Sequence, residues 1–141
     1  MTAIEVGLVV VHRLADSGRE FLIGLRAPAS GGYWSLIGGL IEVGETAIDG
    51  ARRELGEETG LSSPVSFEGI QMTLGYEEKD TGHWVVLHVF VAEAPADWEP
   101  VLDEEHVDYR WCRAEEALDQ LFFEEPRAAL REAALRLEGT A

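Results

Sequence analysis

The sequence predicts an α/β protein, and three observations carry that reading. Valine-rich, strand-sized apolar runs recur, the first at Ile4 to His12. A capped helical pattern sits in the middle of the chain, between Thr46 and Gly60. An amphipathic helical pattern closes it, from Pro126 to Leu137. Strands with helical segments before and after them stack most simply as layers on one core. With 141 residues and 46% hydrophobic content, the whole chain, 1–141, reads as one domain with a sizeable core.

In chain order, Ile4 to His12 is a buried first strand, Ala15 to Glu20 a polar turn around Ser17 and Gly18, and Phe21 to Leu25 the returning strand. Ala27 to Gly32 is a breaker-rich loop, and Tyr33 to Leu36 leads into the glycine pair Gly38-Gly39. The central helix has Thr46 as N-cap and Asp49 three residues on. Gly60 stands where a helix end favours a left-handed residue. Ile48, Ala51 and Leu55 form its expected apolar face. Val65 to Leu74 and His83 to Ala92 are further strands, joined by the polar stretch Gly75 to Gly82. An acidic loop runs from Glu93 to Glu104, followed by a short strand Val107 to Trp111 and a helix Glu115 to Leu121. The closing helix opens on a proline and repeats Leu130, Ala134 and Leu137.

Composition narrows the function classes. The formal charge is −16 and Lys79 is the single lysine. Such a balance argues against a nucleic-acid duplex as partner, because duplex phosphates are neutralised by lysine and arginine. No apolar run reaches the roughly 18 residues of a membrane span, and no basic-apolar leader opens the chain. Cys112 is the single cysteine, which excludes an internal disulfide and makes it a small core residue on this reading. The expectation is a cytoplasmic protein with no membrane partner; a homodimer is left open.

The chemistry concentrates in the central helix. Glu54, Glu57 and Glu58 stand at i, i+3 and i+4 and are expected to share one face. Like charges at that spacing cost roughly 0.2–0.5 kcal/mol per pair. Gly50 and Gly56, inside the helix, each cost about 1 kcal/mol relative to alanine. Local rules broken together mark functional sites. An all-oxygen carboxylate cluster suits a hard cation such as Mg²⁺, with Mn²⁺ as a substitute, better than zinc or copper. Such a cation also supplies the local positive charge that an acidic protein needs to handle phosphates.

The spacing of these residues resembles the box of the Nudix hydrolases. Gly39, Glu45, Arg53-Glu54-Leu55, Glu57-Glu58, Gly60 and Leu61 fill every fixed position of G-x5-E-x7-R-E-U-x-E-E-x-G-U, where U is aliphatic. The family's lead-in usually carries a proline before the glycines, and Ile37 stands there instead. Further on, Glu105-His106-x-x-Tyr109-x-Trp111 resembles the C-terminal part of the diadenosine tetraphosphate hydrolases and the dihydroneopterin triphosphate pyrophosphatases.

The resemblance implies an α/β/α sandwich with a mixed β-sheet and a Mg²⁺-dependent pyrophosphohydrolase. Its substrate would be a small nucleotide-type molecule, a nucleoside diphosphate linked to a moiety X. Nucleoside triphosphates and dinucleoside polyphosphates lead; ADP-ribose-type sugars come third, since the chain is short and has no evident N-terminal dimerisation domain. It implies Glu54, Glu57 and Glu58 as metal ligands, with the Gly38 carbonyl. Either Glu54 or Glu57 would be general base. Arg53 would orient carboxylates, Glu45 would reach metal through water, and Glu105 would be a further ligand or base. A structural Arg53–Glu45 salt bridge is an equal alternative. Tyr33, Trp34, Tyr76 and Trp84 flank the expected mouth as base platforms or as packing. Arg26 and Lys79 are the nearest cations for phosphates. The rival functional class is a non-catalytic nucleotide-binding regulator.

Overall fold

A computed structural model describes residues 3–138. Seven strands form one mixed sheet: β1 (Ile4–Ala15), β2 (Gly18–Arg26), β3 (Trp34–Ser35), β4 (Ile37–Leu40), β5 (Ser66–Glu77), β6 (Trp84–Glu93) and β7 (His106–Cys112). Three α-helices accompany it: α1 (Ala47–Thr59), α2 (Ala114–Gln120) and α3 (Glu124–Glu138). The central path runs β3-β2-β1-β6-β5, with β4 paired to β1 and β7 paired to β2. β1 and β6 are parallel, and the other pairings are antiparallel.

Alternation along β1 builds both halves of the core. Leu8 and Val10 face α2 and α3, where Leu121, Ala129, Leu130 and Ala133 cover them. Val9 and Val11 face α1, packing with Ala51, Leu55 and Leu61. The result is the expected α/β/α sandwich. Cys112 is buried in the α2/α3 half, as its place beside a strand predicts, and burial raises its thiol pKa. No helix among the described residues is long and apolar enough to cross a membrane.

Two stretches depart from expectation in ways that matter for the site. The strand before the acidic turn is longer than predicted: Tyr76 and Glu77 belong to β5, paired with Val85 and Trp84, and only a tight turn at 78–83 remains. The Thr81 hydroxyl donates to Glu78, and Gly82 takes φ 73°, which closes that turn without a long loop. The glycine pair, given no element from the sequence, is part of a strand. Gly38 and Gly39 lie in β4, opposite Leu8 and Gly7. A Cβ on Gly38 would sit 2.3 Å from the Gly7 carbonyl oxygen, and one on Gly39 would sit 2.4 Å from Cδ of Glu54. These glycines make room. Ile37, in the place of the family's usual proline, is buried and pairs with Val9, so the ladder fixes this segment.

α1 begins and ends where its caps predict. Thr46 Oγ1 accepts from the Asp49 N–H at 3.2 Å, and Gly60 adopts φ 81°. Its apolar face differs in one member: Ile48 is 37% exposed. Gly50 takes the inward place, where a Cβ would meet Glu45 Oε1 at 2.9 Å and Ile41 Cγ1 at 3.2 Å. A Cβ on Gly56 would meet nothing within 4 Å. Gly56→Ala is therefore expected to stabilise the fold by about 1 kcal/mol, a rise in Tm of roughly 3–5 °C. Gly50→Ala, with the same helix propensity gain, is expected to lose stability. Urea unfolding of the two variants checks this; equal gains would refute the close contact at Gly50.

Candidate active site

The box residues divide between two environments. At about 100° per residue, Glu57 and Glu58 lie on opposite sides of Glu54, roughly 60° and 40° away. Glu57 is consequently turned outward, its side chain 58% exposed, while Glu58 is only 2% exposed. The three carboxylates thus do not share one open face as predicted. The sequence held a signal for this: Ala51, Leu55 and Glu58 are spaced i, i+4, i+7, the stripe that faces a core.

Arg53 organises the outward group. Its Nε and Nη2 donate to both oxygens of Glu45, at 2.9 and 3.0 Å. Nη1 donates to Glu54 Oε1 and Glu57 Oε2, each at 3.0 Å, and Nη2 also reaches the Leu40 carbonyl at 3.0 Å. The forked bond to Arg53 holds the Glu45 carboxyl down to about 2, helped by the Glu42 N–H, which donates to it at 2.8 Å. The guanidinium is correspondingly held in its charged form, with Glu45 the largest cause. Arg53 and Glu45 are thus a pair, and the same guanidinium also grips two further box carboxylates.

Glu58 has the opposite character. Its Oε1 accepts the Gly38 N–H at 3.3 Å. Burial raises its carboxyl to about 9, and the neighbouring Glu54, which is hydrogen-bonded to it, pushes the same way. Two carboxyl groups in such contact need a cation between them, a proton or a metal ion. Among the described residues no three His, Cys, Asp or Glu side chains close round a single point, since Glu54 and Glu57 each give an oxygen to Arg53. The donor set of Glu54, Glu57 and Glu58 is nevertheless all oxygen, of the kind that takes Mg²⁺ or Mn²⁺.

The loop from 94 to 105 delivers the second group of acids. It is pinned at both ends. Arg13 stacks over Trp111, 3.9 Å from the ring centroid, and donates to Glu99 Oε2 at 2.7 Å and to the Trp98 carbonyl at 2.9 Å. Tyr109 Oη and Trp111 Nε1 donate to Glu99 Oε1. Val101 N–H donates to the Thr59 carbonyl at the end of α1. Tyr109 and Trp111 of the Glu105-to-Trp111 motif therefore fasten the loop. Asp103 accepts from His106 Nδ1 at 2.9 Å and adds its field to Glu58. Glu105 is on the same turn, exposed; the Ala27 N–H donates to its backbone carbonyl at 2.8 Å. His106 is buried, with Nε2 3.8 Å from Glu58 Oε1. Asp103 and His106 are the residues that sequence reasoning underweighted.

Beside β4 a cavity of about 720 Å³ opens on the α3 side of the sheet, within the range of small-molecule sites. Gly38 and Gly39 form part of its wall, along with Val6, Leu8 and Leu87. Tyr33, Tyr76, Arg26 and Lys79 line it as predicted. Arg26 ends a strand and is not loop-borne, its Nε donating to the Ser30 carbonyl. Phe123, between α2 and α3, is an unpredicted wall residue and packs edge-on against Tyr33 at 4.9 Å; the adjacent aromatics Phe122 and Phe123 between two helical patterns were its sequence signal. Trp34 packs against the core instead, and Trp84 lies over Gly75 on the face away from Leu87.

Comparison with known proteins agrees with the box. The NUDIX domain model matches residues 4–133. An octanoyltransferase of Myxococcus xanthus is 30% identical over 128 residues, 91% of this chain; the chain spans 36% of that protein's length. The asymmetrical bis(5'-nucleosyl)-tetraphosphatase of Rattus norvegicus is 34% identical over 134 residues, 89% of each chain. The structure of a C. elegans Ap4A hydrolase binary complex superposes with a TM-score of 0.83 at 23% identity, covering 97% of this chain and 99% of that one. A complete box folded into one strand end, loop and helix, and a family match over residues 4–133, nearly the whole chain, lead to one assignment: the chain belongs to the Nudix family.

Proposed function

We propose that this chain is a Mg²⁺-dependent hydrolase of pyrophosphate bonds, with dinucleoside polyphosphates as its leading substrate class and nucleoside triphosphates next. One observation carries the reading: the cavity and the carboxylates meet at the same two glycines. A phosphate chain lying along Gly38 and Gly39 is in reach of Glu54 and Glu58 on the helix behind them. The aromatic side chains of Tyr33, Tyr76 and Phe123 offer base platforms, since every base has a π-face. Arg26 and Lys79 offer charge to phosphate oxygens. The likeness to the rat tetraphosphatase supports the dinucleoside choice.

In this reading Glu54, Glu57, Glu58 and the Gly38 carbonyl hold the metal, with Mn²⁺ able to substitute. When bound, the ion neutralises developing phosphate charge and acidifies water. Arg53 orients Glu54 and Glu57 through its Nη1. Glu45 fixes Arg53 in turn, and a water-mediated contact with the ion is a second role open to it. Glu54 or Glu57 takes the proton from the attacking water. Glu105 is the further carboxylate, exposed on the turn beside Asp103.

Replacing Glu57 by Gln is expected to lower turnover at least a hundredfold with the fold intact, because the carboxylate is largely exposed. Near-parental turnover would remove it from the chemistry. Glu105→Gln is expected to slow hydrolysis as well; a parental rate at saturating Mg²⁺ would take Glu105 out of the site and leave Asp103 as the nearer acid.

Glu58 links the site to stability. With its folded pKa raised from 4.5 to about 9, the folded protein keeps a proton that the unfolded chain releases. Metal-free stability from this group is full below pH 4.5 and falls as pH rises towards 9. Urea midpoints in EDTA at acid and alkaline pH should diverge for the parent and much less for Glu58→Gln. Matching pH dependence in the two proteins would place the titrating group elsewhere.

The function itself is tested by incubating the protein with dinucleoside polyphosphates, nucleoside triphosphates and nucleotide sugars, with Mg²⁺ or EDTA. Mg²⁺-dependent cleavage of a dinucleoside polyphosphate is the expected result. Tight nucleotide binding without turnover would replace the enzyme with a regulator.

A further inference from the structure

His106 has a buried ring nitrogen with no partner. Its Nε2 is the one buried side-chain nitrogen or oxygen among the described residues that makes no hydrogen bond. Buried polar groups are almost always paired, so an orphan calls for an explanation. The ring cannot turn away from its position. Nδ1 donates to the Asp103 carboxylate, which can only accept. The backbone of His106 pairs with Arg26 in the sheet, and Gly24, two residues before Arg26 on β2, leaves room for the ring: a Cβ there would lie 3.0 Å from His106 Cδ2. What Nε2 faces is Glu58 Oε1, at 3.8 Å, just beyond hydrogen-bond reach.

That oxygen is also the one that accepts the Gly38 N–H. Two neighbours thus address Oε1 of Glu58, and Oε2 is the oxygen that neither of them takes. We propose that His106 is a positioning residue for the metal site: its Nε2, aimed by Asp103, bonds Oε1 of Glu58 when the site is loaded and so presents Oε2 to the ion. One proton between Nε2 and Oε1 serves this bond. Partners of this kind, behind a metal ligand, typically contribute ten- to a hundredfold in metal affinity. The inference rests on Glu58 being a metal ligand, as argued above.

The test is Mn²⁺ binding, followed by the free-ion electron paramagnetic resonance signal, in the absence of substrate. His106→Met keeps an apolar side chain of similar bulk and is expected to weaken the tightest site ten- to a hundredfold. His106→Gln, with an amide nitrogen near the position of Nε2, is expected to recover most of that loss. Asp103→Asn, on the loop surface, is expected to weaken binding severalfold, and to add nothing to His106→Met. A folded His106→Met protein with parental Mn²⁺ affinity overturns the proposal; should that variant fail to fold, parental affinity in Asp103→Asn overturns it equally. Glu58→Gln separates the two levels. Parental Mn²⁺ binding there defeats the metal-ligand reading itself, whereas loss there with no change in the His106 variants defeats this inference alone.

Discussion

The site depends on how closely one helix approaches one strand pair. A Cβ on Gly7 would lie 3.0 Å from the Ala51 Cβ, and the space above Gly39 is taken by the Glu54 carboxylate. Side chains at Gly7 and Gly39 would push α1 and its Glu54 carboxylate off the sheet, and one at Gly38 would drive β4 away from β1. Glycine costs backbone entropy wherever it is held in an extended strand. Here that cost is offset by contacts which only a bare backbone permits, and the carboxylates are brought against the surface that a phosphate chain would follow.

Charge is arranged around the same helix in two layers. Outside, Arg53 sits among Glu42, Glu45, Glu54 and Glu57, so that one guanidinium offsets part of a dense negative cluster. The pairs with the exposed Glu42 and Glu57 contribute little stability; the forked bond to the part-buried Glu45 serves orientation, since it fixes both partners in plane. Inside, Glu58 has no arginine. It is served by one backbone N–H and faces a histidine, and burial favours its neutral form. A divalent ion would reverse that preference.

Much of this was legible in the sequence, for a physical reason. The box is local: Gly39 to Leu61 is one continuous segment, and its caps, glycines and charges are fixed by helix geometry over short spans. The helix therefore appears where Thr46 and Gly60 place it. What the sequence hid was long-range. Whether Gly38-Gly39 is a loop or a strand depends on β1 arriving beside it, and whether Glu58 is surface or core depends on which way the helix is rolled on the sheet. His106 was ambiguous for the same reason, because its environment is assembled from β2, α1 and the 94–105 loop. Ile48 shows the reverse case, a helical apolar residue in register that stays exposed while Gly50 takes the buried place.

The cavity also sets an electrostatic condition on any polyphosphate that enters. Its ionisable lining is Arg26 and Lys79 on one side of the ledger and Glu77, Glu78 and Glu125 on the other, which leaves it slightly negative before the box glutamates are counted. The chain as a whole carries −16. At physiological ionic strength, charges more than about 8 Å away are largely screened, so distant acids matter less than the groups that line the wall. Two cations against three carboxylates cannot by themselves hold a multiply charged phosphate chain. On the proposed function, ions brought in by the carboxylates or by the phosphates would supply the missing attraction.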